Sequence, residues 1–235
     1  MQQKVTIITG AGSGIGRASA LRFARAGARV ALFGRTRQTL AATAAAIREE
    51  GGAEALVVPG DVAREEDVQM LFARVLEVCG RVDILLNCAG IVAVKPFREM
   101  DATTWDRVLN TNLRGTFLCC QQAFTAMATE GGVILNISSL SGVKGVEKFP
   151  GLSAYNVSKA GIASLTEILA VEGKPLNIRV AAVSPGAVDT DMLRQAAPHL
   201  RAGMTPEEMA DILLFMADDS GRVLSGTNLE IFSNA

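Results

Sequence analysis

Seven short apolar runs separated by helical patterns constrain this 235-residue chain more tightly than any other feature of it. The runs fall at residues 4–9, 29–33, 55–58, 83–87, 132–138, 178–184 and 229–232 and are rich in Val, Ile and Leu. Uninterrupted apolar runs of this length read as strands buried on both faces. Between them, the spacing of apolar residues predicts six helices. One runs from the Gly-rich turn at 10–16 to residue 26, and the others cover 38–50, 64–79, 104–129, 155–171 and 205–219. Strands that alternate with helices are joined by right-handed crossovers, which makes the sheet mostly parallel and covers both of its faces with helices. The expected fold class is therefore α/β, doubly wound, with a seven-stranded sheet. No linker, repeat or shift in composition divides the chain, so residues 1–235 read as a single domain.

Composition narrows what such a domain can be. Hydrophobic residues make up 49% and charged residues 20%, with 7 Pro and 23 Gly, which excludes a disordered, collagen-like or coiled-coil chain. Mean hydropathy is +0.28, yet the longest strongly apolar charge-free run, 84–94, falls well short of the roughly 18 residues a membrane span needs. No membrane partner is expected. The first ten residues enter a strand pattern without the apolar stretch of a signal peptide, so the expected location is cytoplasmic. Cys79, Cys88, Cys119 and Cys120 form no Cys-x-x-Cys pair, and His199 is the single histidine. No metal site is expected, the cysteines read as reduced and mostly buried, and His199 reads as a surface loop residue.

Charge is placed unevenly along the chain. Residues 1–48 contain Lys4, Arg17, Arg22, Arg25, Arg29, Arg35, Arg37 and Arg48 and no acidic residue, whereas the remainder carries 15 basic against 24 acidic residues. Such asymmetry flags an anionic partner, either a phosphate group or nucleic acid. Arg17, Arg22, Arg25 and Arg48 fit solvated helix faces. Apart from Phe23 and Phe33 the segment interleaves no aromatics with its arginines, which argues for no nucleic-acid partner.

A doubly wound sheet binds ligands beyond the carboxyl ends of its strands, where strand order reverses. The loops after the first, fourth, fifth and sixth strands are where the chemistry should lie. After the first strand comes Thr9-Gly10-Ala11-Gly12-Ser13-Gly14-Ile15-Gly16, which leads into a helix. Glycines there let backbone approach a pyrophosphate while helix N–H groups point at it, so Gly10, Ser13, Gly14, Ile15 and Gly16 form a candidate dinucleotide cradle of the Rossmann type. At the end of the second strand an NAD site places a carboxylate on the ribose hydroxyls. Here the sequence is Phe33-Gly34-Arg35-Thr36-Arg37, and the first acidic residue is Glu49. Arg35 can offer a charge-assisted fork to a 2′-phosphate, so NADP is favoured and NAD is the alternative. Ser13 stands where a basic residue would have strengthened the case, and Arg37 reads equally as a second contact or as plain surface.

Tyr155 and Lys159 are four apart on a predicted helix and share one face. A phenol titrates near 10, and an adjacent ammonium favours the phenolate, so the pair is expected to lower the Tyr155 pKa toward the range useful for acid–base work.

With these residues in place, the chain resembles the short-chain dehydrogenase/reductase family. The motifs are Thr9 to Gly16 as T-G-x-x-x-G-I-G, Asn87-Cys88-Ala89-Gly90, Asn112, Ser138-Ser139, Tyr155-Asn156-Val157-Ser158-Lys159 and Ser184-Pro185-Gly186, in the family's order and spacing. Within the family the chain resembles the 3-oxoacyl-carrier-protein-reductase-like members. The resemblance implies an NADP(H)-dependent oxidoreductase interconverting a ketone and a secondary alcohol. It makes Tyr155 the proton donor to the carbonyl, Ser139 the group that polarises it, Lys159 the tuner of Tyr155 and holder of the nicotinamide ribose, and Asn112 a relay through water. It also places Asp61 and Val62 on adenine, Asn87, Ala89 and Gly90 along the cofactor, and Pro185, Gly186, Val188 and Thr190 at the nicotinamide. The implied partner is a small-molecule carbonyl or alcohol, and the implied assembly is a homo-oligomer, tetramer or dimer, packed through the helices around 104–129 and 155–171. An NAD-dependent secondary alcohol dehydrogenase and a non-catalytic nucleotide sensor are the alternatives.

Several positions depart from the family pattern. Cys88 stands for a second asparagine, Ala181 for another, and the tail from Gly226 to Ala235 lacks the usual ending. The long loop between Ser139 and Tyr155, with Lys144, Glu147, Lys148, Phe149 and Pro150, is a candidate wall of the substrate pocket. The short segment 191–204, with Met192, Leu193, Pro198 and Leu200, is a candidate lid.

Overall fold

In a computed structural model that describes residues 1–233, each of the seven apolar runs forms a strand. They are β1 Val5–Thr9, β2 Arg29–Gly34, β3 Leu56–Pro59, β4 Ile84–Asn87, β5 Gly132–Ile137, β6 Ile178–Pro185 and β7 Asn228–Ile231. All neighbours pair in parallel in the order β3-β2-β1-β4-β5-β6-β7. Order therefore reverses between β1 and β4, where Thr9 lies opposite Phe33 on one side and Asn87 on the other. The central strands are apolar at consecutive positions because both faces are covered.

The described residues form eight α-helices: α1 Gly14–Arg25, α2 Arg37–Glu49, α3 Glu65–Cys79, α4 Ala102–Leu109, α5 Gly115–Ala126, α6 Ser153–Gly173, α7 Asp191–Ala196 and α8 Pro206–Ala217. Phe23, Leu40, Ile47, Met209 and Leu213 bring α1, α2 and α8 onto one face of the sheet. Leu71, Phe72, Leu118, Cys119 and Ala170 bring α3, α5 and α6 onto the other. Two helices exceed the sequence expectation. The single run predicted over 104–129 is broken by a π-helical turn at Asn110–Arg114, and the segment at 191–204 contains the six-residue α7. Periodicity alone does not reveal the π turn, because it changes the hydrogen-bond ladder without changing the apolar pattern.

Part of the basic first segment is neutralised within the fold. Lys4 pairs with Asp83 at 3.2 Å, Arg22 with Asp211 at 2.5 Å across α1 and α8, and Arg25 with Glu50 at 2.6 Å beyond α2. Arg22 and Arg25 thus join elements rather than merely facing water. Asp83 is 4% exposed, and burial alone would raise its pKa. The Val5 N–H at 2.9 Å, with Arg81 and Lys4, outweighs that and holds the carboxyl below its ordinary value. At the other end, Thr205 caps α8 in a reciprocal capping box with Glu208. Of the atypical tail, Asn234 and Ala235 lie outside the described residues.

Candidate active site

β1 ends at Thr9 and the chain turns at Gly10 with φ +67°, a conformation that side chains rarely tolerate. A Cβ at Gly10 would lie 2.9 Å from the Ala89 Cα, and one at Gly16 would lie 2.7 Å from the Gly10 carbonyl carbon. Glycine at both positions lets the turn after β1, the turn after β4 and the first turn of α1 meet backbone to backbone. Thr9 fastens them, its Oγ1 accepting from the Cys88 and Ala89 N–H groups at 3.1 Å each. α1 begins with no side-chain cap and no acidic residue in its first turn, so its leading N–H groups and positive dipole end are open to an anion. Across from it, Thr190 caps α7, and a Cβ at Gly14 would come within 3.3 Å of its methyl group. A cradle that any added Cβ would fill, ending on an uncapped helix, fits the pyrophosphate of a dinucleotide.

Ser138 and Ser139 follow β5 and point differently. The Ser138 hydroxyl is buried and donates to the Lys159 main-chain oxygen at 2.8 Å, while the Ser139 Oγ accepts from the Ser141 N–H at 3.1 Å beside the open cleft. A Cβ at Gly142 would lie 2.6 Å from the Lys159 carbonyl carbon, so the chain after Ser139 can lie directly on α6. There Lys159 Nζ sits 5.6 Å from the centroid of the Tyr155 ring and donates to the Ile137 carbonyl at 2.7 Å.

The electrostatics differ from the sequence expectation in one respect. Burial raises the Tyr155 phenol above its ordinary value, and the Ser139 side chain, within hydrogen-bonding reach, acts in the opposite direction. Ser139, and not Lys159, is the group that acts to lower it; Lys159 is itself desolvated, with one N–H donated to Ile137. Burial brings Lys159 down to about 8. Cys88, half-buried on the cleft lining beside them, is pushed up to about 12 by desolvation, which favours the protonated thiol. Cys119 and Cys120 are buried, and all four cysteines are free.

A cleft of about 290 Å³ gathers Gly10, Ser13, Gly14, Ile15, Gly16, Ala89, Gly90, Ser139, Tyr155, Lys159, Pro185, Gly186, Val188 and Thr190. Five candidates lie outside its lining. Asn87 is buried, its amide donating to Asn136 at 2.9 Å and its Oδ1 without a partner. Val62 is buried against Gly115 in the core. The Asp61 carboxylate accepts from the Ala63 N–H at 3.0 Å, an Asx turn leading into α3. Arg35 is exposed beyond β2, and among the described residues no carboxylate pairs with it. Its rim is stitched to the glycine turn by Ala11 N–H donating to the Phe33 carbonyl at 3.2 Å.

Asn112, the fifth, is fully buried in the π turn. Its Oδ1 accepts from the Ile91 N–H at 2.8 Å, and its Nδ2 donates to the Ile91 carbonyl at 2.9 Å and to Ser158 Oγ at 3.0 Å. It latches the turn after β4 onto α6, one residue from Lys159. Gly90 links them spatially, since a Cβ there would lie 3.5 Å from Asn112 Oδ1 and 3.6 Å from Lys159 Nζ. Sequence reasoning gave no role to Thr9, Val92, Leu140 or Leu152, whereas Phe149 from the candidate wall loop and Met192 and Leu193 from the candidate lid do line the cleft. Thr9 is signalled only by its place before the glycine turn. The wall is signalled only by two apolar loops.

A family model described as short chain dehydrogenase matches residues 4–201, and the chain belongs to the short-chain dehydrogenase/reductase family. Its members are NAD(P)-dependent oxidoreductases acting on CH–OH groups, as this chain is. Among its relatives is a 3beta-hydroxysteroid dehydrogenase of Mediterraneibacter gnavus, 33% identical over 96% of this chain and 92% of that one. A 3-oxoacyl-[acyl-carrier-protein] reductase of Aquifex aeolicus is 34% identical over 98% and 96%. The crystal structure of a short-chain type dehydrogenase/reductase from Mycobacterium marinum superposes with a TM-score of 0.91 at 33% identity, covering 98% of this chain and 94% of that one.

Proposed function

We propose that the chain is an NADP(H)-dependent oxidoreductase that interconverts a ketone and a secondary alcohol, with Tyr155 as general acid and base. The observation that carries this reading is a single cleft with the glycine cradle at one end and Ser139, Tyr155 and Lys159 at the other. The cofactor, when bound, supplies or accepts the hydride. Gly10 to Gly16 and the α1 N-terminus hold its pyrophosphate, Arg35 its 2′-phosphate, Asp61 with the main chain at Val62 the adenine, and Pro185 to Thr190 the nicotinamide end. The turn at Asn87, Ala89 and Gly90 lines its path through main chain, because the Asn87 side chain is turned inward.

Ser139 Oγ donates a hydrogen bond to the substrate oxygen, and Tyr155 delivers the proton to it during reduction or removes it during oxidation. Lys159 places positive charge behind the phenol. Asn112 is a positioning residue that fixes the turn after β4 against the helix carrying both groups.

The same helix carries the proposed assembly surface. Val157, Ile168 and Val171 of α6 are 47%, 50% and 58% exposed, and Phe117 of α5 is 43% exposed. These faces are proposed to pack against further copies in a tetramer or dimer. The chain is read as one domain working in the cytoplasm; no described helix is long and apolar enough to cross a membrane.

Two measurements test the reading. Tyr155→Phe is expected to lower turnover by about 10²- to 10⁴-fold while cofactor binding is kept, and full turnover would sink the mechanism. A fluorescence titration should show NADPH binding at least about 10-fold tighter than NADH, with Arg35→Ala erasing the difference; equal binding in the parent would turn the assignment to NAD.

A further inference from the structure

We infer that the substrate arm of the cleft selects a neutral, apolar ketone or secondary alcohol and rejects one that carries an anionic group. The inference rests on the catalytic reading above. Beyond Ser139 and Tyr155 the arm is walled by Leu140, Phe149, Leu152, Met192 and Leu193. Among the described residues only three charged ones line the cleft: Lys159, Glu147 and Asp191. Lys159 lies over the Tyr155 ring with an N–H on Ile137, so its charge belongs to the Tyr155 end of the cleft and not to the far end of the arm.

Of the cations near the arm, Lys144 and Arg201 are exposed and do not line the cleft, and three others are engaged. Arg194 is divided between Asp191, at 2.8 Å, and Asp189. Lys148 donates to the carbonyls of Ser141 at 2.8 Å and Val143 at 2.5 Å, and Lys95 pairs with Asp101 at 2.5 Å. An anionic substrate would therefore lose its hydration against hydrocarbon, find no cation on the described lining of the arm, and face the Glu147 carboxylate. Glu147 acts by exclusion, raising the cost of the wrong substrate and not the affinity of the right one. Glycines with positive φ at 145 and 151, +82° and +87°, bracket the segment that carries it.

The test uses a matched pair, methyl 4-oxocyclohexanecarboxylate and its free acid, with 4-tert-butylcyclohexanone as the apolar reference. Turnover is measured with NADPH and with NADH, and binding of each ketone to the cofactor-saturated protein is measured by calorimetry. The ester and the reference are expected to be bound and reduced, with kcat/KM for the acid at least about 100-fold lower. Glu147→Lys is expected to narrow the gap between acid and ester by at least about tenfold through the reversed charge at the arm. Equal binding of acid and ester, or binding of neither ketone by the cofactor-saturated protein, overturns the proposal. Full turnover in Tyr155→Phe overturns the catalytic reading instead, and calorimetry of the ketone pair still decides the selectivity; failure of both cofactors to bind overturns both.

Discussion

On the glycine-turn side of the cleft the chain contributes mostly main chain, and on the opposite side it contributes side chains. At Gly10 and Gly16 the constraint is where a Cβ cannot go, because backbone from three elements converges there. At Leu140, Phe149, Leu152, Met192 and Leu193 the constraint is only that the wall be apolar and of suitable shape. The first kind of site fixes residue identity and is intolerant of change, and the second admits many sequences of similar volume. One chain can thus hold a fixed cofactor geometry while its substrate wall remains free to vary.

Lys159, at the junction of the two sides, offers the largest test of that contrast. Lys159→Met is expected to lower turnover at least about 100-fold and yet to raise stability by roughly 1–3 kcal/mol near neutrality, because a buried ammonium is removed. The sign follows from its pKa, which burial lowers from 10.5 to about 8. Between those values the unfolded chain holds a proton on Lys159 that the folded chain lacks, so the contribution of Lys159 to stability rises with pH across that window. The buried thiols and Tyr155, all raised, lower the stability of both proteins above about pH 9, so thermal melts from pH 7 to 11 should show the parent gaining relative to Lys159→Met across the window; no relative gain would mean that Lys159 keeps its ordinary pKa.

Gly10→Ala comes next. Strain at positive φ and the approach to Ala89 should weaken NADPH binding about 10- to 100-fold, read by fluorescence titration. An unchanged dissociation constant would mean that the cradle adapts and that the contrast between the two sides is smaller than drawn. Smallest is Phe149→Ala, which should raise KM for apolar ketones about three- to tenfold and leave cofactor affinity alone. A loss of cofactor affinity there would show that the wall and the cradle are one unit.

The legibility of the molecule in its sequence divides along the same line. The strands, the parallel sheet and the glycine cradle were readable because consecutive apolar runs and obligatory glycines are local signals. Asn112 was readable as a candidate, but its work was not. Its amide bonds span from the π turn to Ile91 and Ser158, contacts 21 and 46 residues away that no local pattern announces. Asn87 and Val62 sit beside the cofactor path in sequence, but strand alternation and packing on Gly115 turn their side chains into the core. The direction of the Tyr155 shift was misjudged for a related reason, since four-residue spacing shows that a lysine is near and says nothing of how dry the phenol is.

Tyr155 is also the sole tyrosine of the chain. Alkaline ultraviolet absorbance, normally an average over many phenols, here belongs to one side chain in the cleft. The unlabelled protein therefore carries an optical reporter at the atom proposed to exchange the proton. Ligands, inhibitors and distant substitutions can all be ranked by how far they move that one absorbance curve, before any substrate is known.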